Sequence, residues 1–70
     1  MNAAISIVVN GAPRPLPEGA TLADVVAELG MAGKRIAVER NGEIVPRSRH
    51  GETHLAPGDR LEIVVAVGGG

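Results

Sequence analysis

The sequence predicts an α+β fold in which one main helix packs on one face of a mixed five-stranded sheet. Apolar residues alternate at every second position near both ends of the chain, and one stretch between them repeats its apolar residues at helical spacing. An Asn-Gly pair also occurs twice, as Asn10-Gly11 and Asn41-Gly42, each beside a short apolar run, which is typical of a two-residue hairpin turn. At 70 residues, the chain has room for one such domain.

The first hairpin is predicted from a β-branched stripe over Ile5–Val9, whose alternate residues share one face of a strand. Asn10-Gly11 suits the positive φ of the turn, and the return strand is predicted over Arg14–Leu16. This second strand should be short and lie at an edge, because proline has no N–H to donate to a neighbouring strand. The prolines concerned are Pro13, Pro15 and Pro17.

The helix is predicted to begin after Thr21, whose side chain can accept from a free amide of the first turn. Asp24, three residues on, stands where a capping box usually has Glu or Gln. Gly30 can adopt the left-handed conformation that ends a helix of about two turns. The apolar stripe of this helix comprises Leu22, Val25, Val26 and Leu29.

The second half of the chain predicts three more strands. Strands three and four should cover Ile36–Arg40 and Glu43–Val45, with Asn41-Gly42 between them and Pro46 as the stop. Arg47–Thr53 follows neither period and is predicted to be a loop, and Pro57-Gly58-Asp59 a turn. The longest alternating stripe then defines strand five, with Leu61, Ile63, Val65 and Val67 on one face.

Strands one and five carry the richest apolar stripes, so they should be central, parallel neighbours joined by a crossover through the helix. This arrangement is a β-grasp, the ubiquitin-like fold. We therefore expect a β-grasp domain over residues 1–67 and a flexible glycine tail over residues 68–70.

The composition excludes several classes of function. The chain lacks Cys, Phe, Trp and Tyr and has a net charge of −1, so it offers neither stacking platforms nor a basic footprint for nucleic acid. No apolar run is long enough for a membrane span, and we expect a cytoplasmic protein. His50 and His54 are four residues apart, but in a predicted surface loop without a third ligand, so we expect no metal site.

The chain finishes on Gly68, Gly69 and Gly70 immediately after the last predicted strand. A glycine tail is thin enough to enter channels where a side chain would clash, and its chemically useful group is the Gly70 carboxylate. Transfer of AMP from ATP would activate that carboxylate, but this chain has no phosphate-binding loop and no cysteine nucleophile. The chain is therefore predicted to be the substrate or carrier of another enzyme, not an enzyme, unless the tail is only a frayed end.

Along its whole length, the sequence resembles the thiamin-pathway sulfur carrier proteins, the ThiS family. The resemblance lies in VNG near the start, LADVVAELG on the helix, and NGEIVPRSRHGETHLAPGDRLEIVVAVGGG to the end. It implies that an E1-like adenylyltransferase uses ATP to adenylate Gly70, and that sulfur from a cysteine desulfurase relay replaces AMP. The Gly70 thiocarboxylate would then supply sulfur to thiazole synthase. The resemblance also implies a large aromatic residue at position 50, where this chain has His50.

A Gly-Gly ending is also shared with ubiquitin and with the small subunit of molybdopterin synthase. The alternatives are therefore a sulfur carrier for molybdopterin synthesis or another sulfur pathway, a ubiquitin-like protein modifier, and a plain interaction domain with an idle tail.

Partner docking is predicted at two places. Val64 and Ala66 point away from the buried stripe of strand five and would form an exposed apolar patch with Val8. Arg47 and Arg49 belong to a basic cluster that an acidic partner could bind. The whole cluster comprises Lys34, Arg35, Arg40, Arg47 and Arg49.

Overall fold

The computed structural model describes residues 4–66, which form a five-stranded mixed sheet with one α-helix on one face. The strand order is β2-β1-β5-β3-β4, and β1 and β5 are parallel neighbours. This confirms the predicted β-grasp architecture. In chain order, the elements are β1 (Ala4–Val9), β2 (Ala12–Pro17), α1 (Leu22–Glu28), β3 (Ile36–Arg40), β4 (Glu43–Ile44), a 3₁₀ helix (Arg47–Glu52) and β5 (Arg60–Val65).

Both predicted Asn-Gly hairpin turns are present. Asn10 and Gly11 have φ values of 50° and 84°, and Asn41 and Gly42 have 52° and 88°. Positive φ at both central residues matches the right-handed twist of the strands that such a turn connects. The two turns thereby fix the registers of β1 with β2 and of β3 with β4.

Strand β2 lies at the edge of the sheet, as predicted, but it covers Ala12–Pro17 and is longer than the predicted Arg14–Leu16. Its three prolines are two residues apart and face alternate residues of β1. Alternate residues direct their backbone groups to the same side of a strand, so all three prolines can turn their missing N–H away from β1. The prolines therefore protect the outer edge without interrupting the ladder.

Helix α1 begins and ends as the sequence predicts. The Asp24 N–H donates to Thr21 Oγ1 at 3.2 Å, and the Thr21 N–H donates to Asp24 Oδ2 at 2.9 Å, which completes a capping box. At the other end, Gly30 has φ 74°, and the Met31 N–H donates to the Val26 carbonyl at 2.9 Å. This is a Schellman stop, which directs the chain back toward the sheet.

The core lies between α1 and one face of the sheet. Its largest fully buried side chains are Ile7, Leu22, Val25, Val38 and Leu61, so helix and strands contribute together. Like the rest of the core, they are aliphatic, and the stabilisation comes from many small contacts. Within residues 4–66, no helix has the length and apolar character of a membrane span.

Two predictions about the second half of the chain are wrong. Arg47–Glu52 is a 3₁₀ helix, although the predicted loop covered Arg47–Thr53. A 3₁₀ segment this short is not long enough for apolar residues to recur at a regular spacing, so the periodicity of apolar residues gave no signal for it. Val65 was predicted on the buried stripe of β5 but is 40% exposed, because β1 pairs with β5 only at Arg60 and Leu61 and ends before Val65.

Candidate functional site

The carboxyl end of β5 is the part of the described structure from which the predicted reactive tail departs. Ala66, the last described residue, donates its N–H to the Arg35 carbonyl at 2.9 Å. The predicted tail residues Gly68, Gly69 and Gly70 lie outside the described residues. The base of the candidate site consists of the end of β5 and the segments that flank it.

Strand β5 is held on both sides as it approaches this end. Along one side it pairs with β3, from Arg40 opposite Leu61 to Ile36 opposite Val65. On the other side β1 has already ended, and the Asn10 side chain takes its place with hydrogen bonds to the backbone of Ile63. The point of departure is thus fixed by the body of the domain.

The open face of the sheet carries an apolar patch beside this point. Val64 is 61% exposed and lies opposite Ala37 of β3, which is also exposed, and Ala66 continues the same side of β5. Ile44 of β4 is 64% exposed and belongs to the same face, because it pairs with Glu39, next to Ala37 on that face. We call Ala37, Ile44, Val64 and Ala66 the apolar patch.

The structure does not bring Val8 into this patch, contrary to the prediction. Val8 is half-buried and lies opposite Arg60, four residues before Val64 on β5. At about 3.3 Å per residue, that separation is roughly 13 Å along the strand, with Glu62 between. Sequence reasoning missed Ile44, although the register of a two-residue Asn-Gly turn would have placed it opposite Glu39.

The predicted basic cluster is divided among different contacts. Arg47 donates from its guanidinium to the carbonyl of Lys34. Lys34 directly precedes Arg35, whose carbonyl accepts from Ala66 at the base of the tail. Arg49 is exposed and lines an open groove beside Ile44. Arg40 is instead part of the domain's own framework, because its guanidinium lies 2.9 Å from Asp59.

Asp59 joins the second hairpin to the turn before β5. Its carboxylate accepts from the Ala56 N–H at 2.8 Å, from Asn41 Nδ2 at 3.1 Å and from Arg40 Nε at 3.0 Å. Burial raises the pKa of Asp59, but these hydrogen bonds and the Arg40 charge outweigh it, and the pKa is lower than its ordinary value. The carboxylate therefore acts as a structural acceptor at the start of β5.

The two histidines have separate roles. His50 is only 7% exposed, not on the surface as predicted, and its Nε2 lies 3.1 Å from the Val45 carbonyl and donates to it. His54 is exposed and bonds through Nδ1 to the Gly19 carbonyl at 3.2 Å. Periodicity gave no hint that His50 is buried, but the large aromatic residue expected there from the family resemblance was such a signal.

The described part of the chain provides a surface and a fixed point of departure, but no arrangement of reacting side chains. No three His, Asp or Glu side chains within residues 4–66 are grouped so as to hold a metal ion. Its two ion pairs, Arg14–Glu28 and Arg40–Asp59, each connect parts of the domain that are distant in sequence.

Known proteins resemble this chain in both sequence and fold. The sequence profile of the ThiS family matches residues 7–70. A sulfur carrier protein ThiS from Thermus thermophilus is 40% identical over 62 residues, which cover 89% of this chain and 95% of that protein. A thiazole synthase from Paramagnetospirillum magneticum is 41% identical over 66 residues, 94% of this chain. This chain spans only about 20% of that thiazole synthase.

The fold comparison agrees with the sequence comparison. A crystal structure of the thiamine biosynthesis protein ThiS from Geobacter metallireducens superimposes with a TM-score of 0.79 at 29% identity. The match covers 94% of this chain and 100% of that one. On the strength of a profile match from residue 7 to residue 70 and this shared fold, the chain belongs to the ThiS family.

Proposed function

We propose that this protein is a sulfur carrier of thiamin biosynthesis, and that its reacting group is the carboxylate of Gly70. The observation that carries the proposal is the ThiS profile match, which extends through the terminal glycines to residue 70. The protein is a carrier and not a catalyst, and it acts in the cytoplasm. It binds no cofactor of its own, and ATP is a substrate of the activating partner.

The chemistry follows from the inertness of a carboxylate. A Gly70 oxygen attacks the α-phosphorus of ATP on an E1-like adenylyltransferase, pyrophosphate leaves, and the carboxyl group becomes an acyl adenylate. The outer sulfur of a persulfide, delivered by a cysteine desulfurase relay, then attacks the acyl carbon and expels AMP, which gives an acyl disulfide. A thiol of the partner enzymes or a small thiol reductant cleaves the S–S bond, is itself oxidised to a disulfide, and releases the thiocarboxylate. The net change is the replacement of one carboxylate oxygen by sulfur, and the resulting thiocarboxylate is a strong nucleophile.

Thiazole synthase is the proposed acceptor of this sulfur. A protein named thiazole synthase contains a stretch 41% identical to this chain, which supports a shared reaction over molybdopterin synthesis. The geometry supports the carrier role, because the backbone is anchored up to Ala66 and Gly70 follows only four positions later. Covalent geometry keeps the reacting carbon within about 14 Å of the anchored strand.

Intact mass spectrometry tests the proposal. The protein is incubated with ATP, the E1-like adenylyltransferase of the same organism, its cysteine desulfurase, cysteine and a thiol reductant. We expect the mass change of one oxygen replaced by sulfur, located at Gly70 by fragmentation. The matched control lacks only Gly70 and should unfold like the parent protein but gain no sulfur. Sulfur gain by the control, or none by the parent, contradicts the proposal; adducts of Gly70 with lysines of other proteins assign the chain to the modifiers.

A further inference from the structure

A group of three exposed cations lies beside the base of the tail. The Ala66 N–H donates to the Arg35 carbonyl at 2.9 Å, so Lys34 and Arg35 lie beside the residue that follows β5. Arg47, from the 3₁₀ helix, donates through its guanidinium to the Lys34 carbonyl and so lies on the same loop. We call Lys34, Arg35 and Arg47 the basic collar.

The charges of the collar are not used in ion pairs within residues 4–66. Within residues 4–66, the ion pairs are Arg14–Glu28 and Arg40–Asp59, and neither includes a member of the collar. Cations held near one another repel, and exposed charges of this kind contribute little to folding. The whole chain has a net charge of −1, so the collar is a local concentration of positive charge and not part of a generally basic surface.

The position of the collar at the base of the tail limits which molecules can bind it. Any enzyme that acts on Gly70 must enclose the tail, and its surface then covers the side chains around Ala66. A neutral protein surface that covers these cations would remove their hydration and offer no ion pair in return. Carboxylates on that surface would offset the lost hydration, and their charge would also increase the rate of association. When the tail is extended in the channel of an enzyme, a nucleotide attached at Gly70 lies about 14 Å from Ala66, which favours a protein surface over the nucleotide phosphates as the partner of the collar.

We propose that the basic collar docks on an acidic protein surface that surrounds the entrance for the tail on the activating enzyme. The inference rests on the proposed function. It adds the charge of the partner surface and the residues of this chain that bind it. Arg35 is in direct backbone contact with the base of the tail, because its carbonyl accepts from the Ala66 N–H. Arg47 braces the loop through the Lys34 carbonyl and so positions the other two cations.

The test compares two charge reversals of equal size, Arg35→Glu in the collar and Arg60→Glu at the opposite end of β5. Both arginines are exposed, and neither side chain has an ion-pair partner within residues 4–66. Association with the E1-like adenylyltransferase of the same organism is measured by biolayer interferometry at low and high ionic strength. Chemical denaturation of both variants verifies that they are folded.

We expect Arg35→Glu to slow association by roughly tenfold to a hundredfold at low ionic strength. The loss should shrink at about 1 M salt, where the Debye length is only about 3 Å. Arg60→Glu should change the rate by less than about twofold, since its charge lies away from the entrance. Equal losses in both variants, or a loss independent of salt, overturn the collar.

Three further outcomes separate docking by the collar from other roles of the collar and from the proposed function. Faster association of Arg35→Glu would mean that the collar holds the chain's own carboxylate, which overturns docking. Shifts of the Lys34 and Arg35 amide resonances on addition of ATP and Mg²⁺ alone would make the collar a nucleotide site, with the same consequence. Wild-type protein that binds in a collar-dependent way but gains no sulfur contradicts the proposed function and leaves the docking surface supported.

Discussion

The side chain of Asn10 forms two hydrogen bonds with the backbone of Ile63, as if it were a further residue of β1. Its Oδ1 accepts from the Ile63 N–H at 2.8 Å, and its Nδ2 donates to the Ile63 carbonyl at 3.2 Å. The same residue opens the first hairpin turn at φ 50°. One asparagine therefore ends β1 and anchors β5 where that strand passes beyond its neighbour.

Replacement of Asn10 by glycine should remove the anchor but keep the turn, since glycine accepts the same positive φ. Loss of two partly buried hydrogen bonds is expected to lower the free energy of unfolding by about 1–2 kcal/mol. Urea denaturation measures this loss, and hydrogen exchange at the Ile63 amide should become faster. Asn10→Asp retains the acceptor and places negative charge beside the Ile63 carbonyl, so it should also destabilise. Unchanged exchange at Ile63 in Asn10→Gly would show that the side chain does not hold β5.

Acid should destabilise the protein partly through Asp59. Its folded pKa lies below the ordinary value of 3.8, so the unfolded chain binds a proton more readily than the folded one. The stabilisation is therefore fully present above about pH 4 and is lost as the pH falls through the lower folded pKa.

The comparison of wild type with Asp59→Asn isolates this contribution from that of other carboxylates. The variant loses the ion pair with Arg40, and we expect about 1–3 kcal/mol less stability at neutral pH. The difference between the two proteins should narrow as the pH falls below 4. Parallel profiles of unfolding free energy against pH would contradict a role for the Asp59 carboxylate.

Much of this fold can be predicted because its signals are local. The two Asn-Gly pairs require positive φ, and Thr21 with Asp24 satisfies the first turn of α1 from within four consecutive residues. Such features depend on neighbours in sequence, so periodicity and turn chemistry identify them without knowledge of the tertiary structure. The parallel pairing of β1 and β5 follows, because the two richest apolar stripes must share the face that α1 covers.

The remaining features depend on contacts between distant segments. Asp59 meets Asn41 from 18 positions away, and Asn10 meets Ile63 from 53 positions away. No local pattern encodes either contact. The separation of Val8 from Val64 is of the same kind, since it depends on the stagger of two parallel strands. The apolar patch could be predicted at Val64 and Ala66, but its extension to Ile44 required the register of the second hairpin.

His50 should contribute to stability through packing and one hydrogen bond. The residue is 7% exposed, and its Nε2 donates to the Val45 carbonyl. His50→Ala leaves a cavity and an unpaired carbonyl, and we expect a loss of about 1–3 kcal/mol in the free energy of unfolding. His50→Phe restores the packing but not the donor, so its loss should be smaller. The exposed His54→Ala is the matched control and should cost less than about 0.5 kcal/mol; equal losses at both positions would disprove the distinction.

The apolar patch should matter for recognition more than for folding. Val64 and Ile44 are 61% and 64% exposed, so the double replacement Val64→Ser, Ile44→Ser removes little buried area. If the activating enzyme covers this face, the lost apolar contacts should weaken its binding by roughly tenfold, with unfolding nearly unchanged. Titration calorimetry with that enzyme measures the affinity. Ser6→Asp, on β1 and also exposed, is the control and should bind like wild type. If the serine variant binds with wild-type affinity, the apolar patch takes no part in docking, and only the basic collar and the tail contact the enzyme.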